Sequence, residues 1–167
     1  MTKQQRVYLA AGTNLGDREG NLRRALQTLA PLVVVGAVSR LYETAPAYVV
    51  DQPAFLNIAL AGETSLSPDE LLAYLKGTET SLGREKAIRF GPRQIDLDII
   101  FYADQIIDEP QLQIPHPRLT ERGFVLWPLV DIAADFVHPI LKQTVAELAA
   151  ALPPDEGILN VFDWQPL

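Results

Sequence analysis

Two hydrophobic periodicities alternate along the first two thirds of the chain, and their order restricts the fold more than any other feature. Residues 7–11 form a short apolar run halted by Gly12-Thr13-Asn14, the mark of a buried strand. Leu22, Ala25, Leu26 and Leu29 then recur at i, i+3, i+4 and i+7, with Asp17 placed to cap this helix and Pro31 to end it. Residues 32–42 are rich in Val with period-2 stretches, and residues 54–61 have the same strand character after a Pro-containing segment, 43–53. Ser67-Pro68-Asp69-Glu70 predicts a helix start, with Ser as cap, Pro in the first turn and Glu closing a capping box. Leu71, Leu75, Thr78 and Leu82 make the apolar face of that helix, Gly83 supplies its stop, and residues 95–102 (IDLDIIFY) read as a further strand. The resulting β-α-β-β-α-β order predicts an α+β, ferredoxin-like fold. Both helices should cover one face of an antiparallel sheet, leaving the other for a ligand or extra elements. Farther on, the pattern predicts a hairpin strand near 105–107 and helices near 124–134 and 144–152, and assigns nothing to 153–167.

At 167 residues without internal repeats, the chain supports one core, so residues 1–167 are expected to be a single domain. A net charge of −7 gives no general attraction to nucleic acid, so any anion site must be local. The absence of Cys excludes disulfides, thiolate nucleophiles and Cys-ligated zinc, and two histidines, His116 and His138, argue against a His-rich zinc site. Oxygen-ligated metals remain. The run 7–11 is too short for a signal segment and no stretch reaches the ~18 apolar residues of a membrane span, which makes the cytoplasm the expected location.

Alternation in 95–102 puts Asp96 and Asp98 on one face and Ile95, Leu97, Ile99 and Phe101 on the other. Two carboxylates about 6.6–6.8 Å apart at Cα repel unless a cation compensates, and hard oxygen donors on a rigid strand suit Mg²⁺. By itself the pair fits a solvated strand face equally well. Immediately upstream, Arg84, Lys86, Arg89 and Arg93 with Glu85 give a local +3 in an otherwise acidic chain. Cations leading into two metal-suited acids are what phosphoryl transfer requires, and together they favour a phosphate site over a solvated basic loop. On strand 54–61, Phe55 and Asn57 share a face and could stack and hydrogen-bond a flat heterocycle. Core filling by Phe and a loop contact by Asn fit them too. Gly12-Thr13-Asn14-Leu15-Gly16 matches no phosphate-loop pattern and reads first as a turn. His116, between prolines and near Arg118 and Arg122, is either a phosphate contact or structural, and His138 is structural.

The strings YLAAGTNLGDREGNL, YETAPAYVVDQPAFLNIAL, LGREKAIRFGPRQIDLDIIFY and IPHPRLTERGFVLWPL, in that order, resemble the 6-hydroxymethyl-7,8-dihydropterin pyrophosphokinases of folate biosynthesis. The resemblance runs from about Val7 to Pro139. It implies a monomeric, Mg²⁺-dependent diphosphotransferase that moves pyrophosphate from ATP to the pterin hydroxymethyl group and releases AMP, with two Mg²⁺ ions and no nucleic-acid or membrane partner. It further implies Arg84, Arg93, Asp96 and Asp98 as catalytic residues, with Asp96 and Asp98 as the metal ligands. Thr44, Ala45, Ala47, Phe55, Asn57, Phe90 and Phe124 fall on the family's pterin contacts. Glu79, Arg84, Lys86, Arg93, Ile99, His116 and Arg122 fall on its nucleotide contacts. The chain departs from the commonest pattern at Phe90, where Trp is frequent, at Lys86, where a second Arg is usual, at Ala45 and Ala47, where some members have larger apolar residues, and at Pro117, where an aromatic can follow the His. Lys86 lacks the bidentate fork that Arg brings to phosphate.

Overall fold

The computed structural model of the chain describes residues 3–47, 51–83, 94–154 and 157–166. Among these, β1 (Gln5–Thr13), α1 (Arg18–Leu29), β2 (Val34–Val38), β3 (Leu41–Thr44), β4 (Phe55–Thr64), α2 (Pro68–Ser81) and β5 (Asp96–Tyr102) come first. They are followed by β6 (Ile107–Glu109), β7 (Leu112–Ile114), a single 3₁₀ turn at Leu119–Glu121, α3 (Gly123–Ala133), α4 (Val145–Ala150) and β8 (Ile158–Phe162). The main sheet runs β5-β1-β4-β3-β8, with β2 also on β4, and its pairs are antiparallel. Thus β1 and β4 lie at the centre, β3 is enclosed between β4 and β8, and β5 is an edge, in keeping with the ferredoxin-like order. β6 and β7 form a separate hairpin.

The helix signals act as expected. The Asp17 side chain accepts from the Gly20 N–H to open α1, and Ser67 and Glu70 close a reciprocal capping box at the start of α2. Gly83, at φ +98°, takes the left-handed conformation that ends α2. One face of the sheet, with Val7, Leu9, Ala11, Leu56, Ile58, Leu60, Leu97 and Ile99, packs on Leu22, Leu26, Leu29, Leu71 and Leu75 of α1 and α2. The opposite face carries a second cluster, in which Tyr8, Ala59, Ala61, Ile100 and Phe101 meet Leu126 and Leu129 of α3 and Leu148 of α4. The extra elements therefore cover one end of the face that the fold class leaves free.

Several sequence expectations are corrected. The strand at 7–11 is longer, since β1 continues through Gly12, which pairs with both Asn57 and Asp96, to Thr13, which pairs with Leu56. The strand at 32–42 is divided at Ser39-Arg40. There the Ser39 N–H donates to Ala59 O and the Ser39 hydroxyl oxygen accepts the Ala59 N–H. Phe101 does not side with Leu97 and Ile99. The β1–β5 register slips between Tyr8 and Leu9, leaving Ile100 as an extra residue, and this bulge sends Phe101 to the opposite face. The hairpin begins at Ile107 rather than 105, and the unassigned tail contains β8, paired with β3.

Candidate active site

Asp96 and Asp98 open the edge strand β5, both half-buried, while Leu97 between them points into the helix-covered core. Their strand is held from outside by α2. The Leu97 N–H donates to Glu79 Oε2 at 2.7 Å, and Lys76 Nζ donates to Leu97 O at 3.2 Å and to Glu79 Oε2 at 3.2 Å. Glu79 is only 2% exposed, so its charge is compensated by Lys76 and by the amide of the very residue that separates the two aspartates. Burial, with the neighbouring Asp96 charge adding to it, pushes the Asp98 carboxyl up to about 6, while Lys76 and Arg122 act to lower it.

Register then extends the site across the sheet. Asp96 pairs with Gly12 of β1, Gly12 with Asn57 of β4, and Asn57 with Tyr42 of β3. At about 4.8 Å per strand, the α-carbons of Asp96 and Asn57 stand roughly 10 Å apart on one face with a glycine between them. In the next row Asp98 pairs with Ala10, and Ala10 with Ala59. Ala10 and Ala59 pack under the second core cluster, so Gly12 is the low position at the open end of this face, with Asp96 on one side and Asn57, Tyr42, Thr44 and Phe55 on the other. Asn57 Nδ2 donates to Thr44 Oγ1 at 2.7 Å, and both residues are buried. The Tyr42 hydroxyl donates to Asp131 of α3 at 2.9 Å and accepts from Arg40 at 3.0 Å. Burial and the Asp131 bond raise it to about 12, so it remains a neutral donor.

The rim is built from loops at the same end of the sheet. Asn14 Nδ2 donates to Gln52 Oε1 and Pro53 O, and Arg18 bonds Ala54 O and pairs with Glu43 at 2.8 Å. The segments following β1 and preceding β4 are therefore tied together. On the β5 side, the His116 N–H donates to Ile100 O, and the Arg118 N–H donates to His116 Nδ1. Burial, together with Arg122, lowers the imidazole to about 4. It is neutral at pH 7 with Nδ1 as acceptor, which leaves its proton on Nε2 as a donor. The Arg122 guanidinium lies 5.6 Å from the ring centre of half-buried Phe124.

Of the residues singled out in the sequence, Thr44, Phe55, Asn57, Asp96 and Asp98 share one face, and His116 and Arg122 lie within electrostatic reach of the aspartates. Ala45 and Ala47 are exposed beyond β3, where the Ala45 N–H donates to Gly157 O. The Ile99 side chain belongs to the core on the other face. Arg84, Lys86, Arg89, Phe90 and Arg93 lie outside the described residues. Sequence reasoning missed Lys76, visible only as an i, i+3 partner of Glu79, and Tyr42 and Gly12, which strand pairing alone brings to the site. His138 is structural, its Nδ1 accepting from the N–H groups of Ile140 and Leu141.

The family model described as 7,8-dihydro-6-hydroxymethylpterin-pyrophosphokinase (HPPK) matches residues 8–134. The 2-amino-4-hydroxy-6-hydroxymethyldihydropteridine pyrophosphokinase of Bacillus subtilis is 42% identical over 154 residues, which is 91% of this chain and 87% of that protein. Its counterpart in Aquifex aeolicus is 38% identical over 141 residues, 84% of this chain and 88% of that one. The mitochondrial folate synthesis bifunctional protein of Arabidopsis thaliana is 49% identical over 96% of this chain, which spans only 28% of its length. Among solved structures, Plasmodium falciparum HPPK-DHPS with pteroate superimposes with a TM-score of 0.74 at 19% identity, covering 90% of this chain and 42% of that one, a likeness of fold. No helix among the described residues is long and apolar enough to cross a membrane. From the match over residues 8–134 and from relatives paired along most of their own length, this chain belongs to the 7,8-dihydro-6-hydroxymethylpterin-pyrophosphokinase (HPPK) family.

Proposed function

We propose that this chain transfers the pyrophosphoryl group of ATP to the hydroxymethyl oxygen of 6-hydroxymethyl-7,8-dihydropterin, giving the pterin diphosphate and AMP. The observation that carries this reading is the row Asp96–Gly12–Asn57, which sets a carboxylate pair and a heterocycle-suited carboxamide across one low floor in a chain of this family. The donor set fits Mg²⁺: two carboxylates share a face, and their mutual repulsion and burial leave a negative pair that a hard cation relieves. Mg²⁺ keeps several waters and substrate phosphate oxygens as ligands, so one or two carboxylates suffice to hold it. When bound there, Mg²⁺ supplies charge neutralisation to the phosphates.

The protein's own groups do the rest. Asn57 and Thr44 orient the heterocycle by hydrogen bonds, with Phe55 and Phe124 offering ring surfaces and Ala45 and Ala47 lining the approach. His116 Nε2–H and the Arg122 guanidinium donate to phosphate oxygens, joined by Arg84, Lys86 and Arg93 of the basic segment, while Phe90 adds apolar surface on the pterin side. Glu79 and Lys76 hold the β5 edge that carries the aspartates, and the Ile99 backbone serves the nucleotide. Alignment of hydroxyl and phosphorus, with donors already in place for the developing charge, accounts for the acceleration. The expected acceptor and donor are small molecules, and the protein is expected to act as a monomer in the cytoplasm.

Incubation with ATP, Mg²⁺ and 6-hydroxymethyl-7,8-dihydropterin, followed by nucleotide separation, tests the reading. AMP appearing in step with pterin diphosphate supports it. ADP or inorganic phosphate in place of AMP would assign a different phosphotransfer to the same charges.

A further inference from the structure

Gly12 lies inside β1, buried, and a Cβ built on it would stand 2.6 Å from Asn57 Oδ1, 3.7 Å from Asn57 Cγ and 3.8 Å from Leu56 O. Real side chains do not tolerate the first of these distances, so the volume that any other residue fills with its Cβ is here filled by the Asn57 carbonyl oxygen. The other end of the same amide is anchored, with Nδ2 donating to Thr44 Oγ1 at 2.7 Å. Asn57 is therefore clamped between an acceptor on β3 and an empty position on β1. Among the described residues no donor occupies Oδ1, which lies over Gly12 on the side toward Asp96. An Ala at position 12 has one local remedy, rotation of the Asn57 amide, and that breaks the Thr44 bond and replaces the acceptor over the floor by another atom. Thr44 would then lose the donor that satisfies its buried oxygen.

From this geometry we infer that Gly12 is a positioning and specificity residue. By having no side chain it holds the Asn57 amide with its acceptor toward the ligand, and so selects heterocycles that present an N–H donor there. This rests on the proposal that the floor binds a pterin, but it concerns the orientation of one side chain, which can be read with or without ligand.

The test uses wild type, Gly12→Ala, Asn57→Ala and the double variant. The Asn57 side-chain amide is followed by ¹⁵N NMR, and dihydropterin binding is measured by titration in the presence of a non-hydrolysable ATP analogue. In wild type the Asn57 amide protons should exchange slowly, as expected of a bond to Thr44, and in Gly12→Ala they should shift and exchange faster. Pterin affinity should fall by about tenfold or more in Gly12→Ala, the loss of one well-placed hydrogen bond, while nucleotide affinity stays within about twofold. In the Asn57→Ala background the Gly12→Ala change should add almost nothing, because the colliding atom is gone. An unmoved Asn57 amide in Gly12→Ala, or full additivity of the two losses, overturns the inference. Should Gly12→Ala not fold, Thr44→Val releases the same amide from its other end. Fast Asn57 amide exchange with weakened pterin binding then supports the clamp, and a wild-type response removes it. Failure of the wild-type protein to bind dihydropterin would instead break the functional proposal, with the amide measurement still reporting on Gly12.

Discussion

Asp98 concentrates the electrostatic conflict of the site in one side chain. Its folded pKa of about 6 exceeds the ordinary value of 3.8, chiefly through burial and then through Asp96. The unfolded chain therefore releases this proton at lower pH than the folded one, and the group's contribution to stability falls as pH rises from about 4 to about 6, then levels off. Asp98→Asn removes the charge and keeps the shape. In metal-free protein the variant should melt above wild type at pH 7.5, and the gap should close as pH falls through 6 toward 4. A gap that widens on acidification in thermal scans would contradict the burial argument. On the proposed reading, in which Asp98 helps to hold Mg²⁺, the same variant should lower AMP formation by roughly 10³-fold or more, since several kcal/mol of charge stabilisation at 1.36 kcal/mol per tenfold would be lost with it. His116 behaves oppositely. With its pKa lowered to about 4, its ring should keep the Nε2–H tautomer unchanged between about pH 5 and 8 in ¹⁵N NMR, and a midpoint near 6.5 would show that the ring is not desolvated as described.

At the scale of elements, the decisive arrangement is an edge strand that is covered rather than left bare. β5 presents the Leu97 N–H and C=O outward, and α2 meets both with Glu79 and Lys76 from adjacent turns. Glu79→Gln retains an acceptor for the Leu97 amide, whereas Glu79→Leu leaves it unsatisfied. Urea unfolding should therefore place Glu79→Leu about 1–3 kcal/mol below wild type and Glu79→Gln nearer to it. Equal losses in the two variants would show that charge, not the amide bond, is what matters. Much of this level was legible in the sequence. The capping box at Ser67–Glu70, the heptad-like Leu22/Ala25/Leu26/Leu29 face and the same-face placement of Asp96 and Asp98 depend on neighbours within a few residues, where local geometry decides. The Phe101 face was not legible, because one bulged residue inverts the alternation beyond it and nothing within 95–102 marks the slip.

The whole molecule closes around its C-terminal segment. β8 pairs with β3, the strand that carries Tyr42 and Thr44, and Trp164 beyond it donates its indole N–H to Ser39 O at 2.9 Å, packs against the α1/α2 core and lies 5.1 Å under the Arg23 guanidinium. Trp164→Ala should cost about 2 kcal/mol, the loss of a half-buried aromatic and its hydrogen bond, or roughly 4–8 °C in Tm for a chain of this size. Because the loss loosens the β2–β3 side, pterin affinity should drop more than nucleotide affinity in paired titrations. An unchanged Tm would mean that the segment only rests on the sheet. What the sequence by itself determined is the list of elements, their caps, the acid pair and the family to which the motifs point, since periodicity and short-range chemistry are written in consecutive residues. Tertiary structure alone decided that Gly12 belongs to a strand rather than a turn, that Asp96, Gly12, Asn57 and Tyr42 form one row, and that an unassigned tail supplies the edge of the sheet. Strand register is a property of pairs distant in the chain, and a glycine, a bulge or a fifth partner strand acquires its role only when the neighbouring strand is in place.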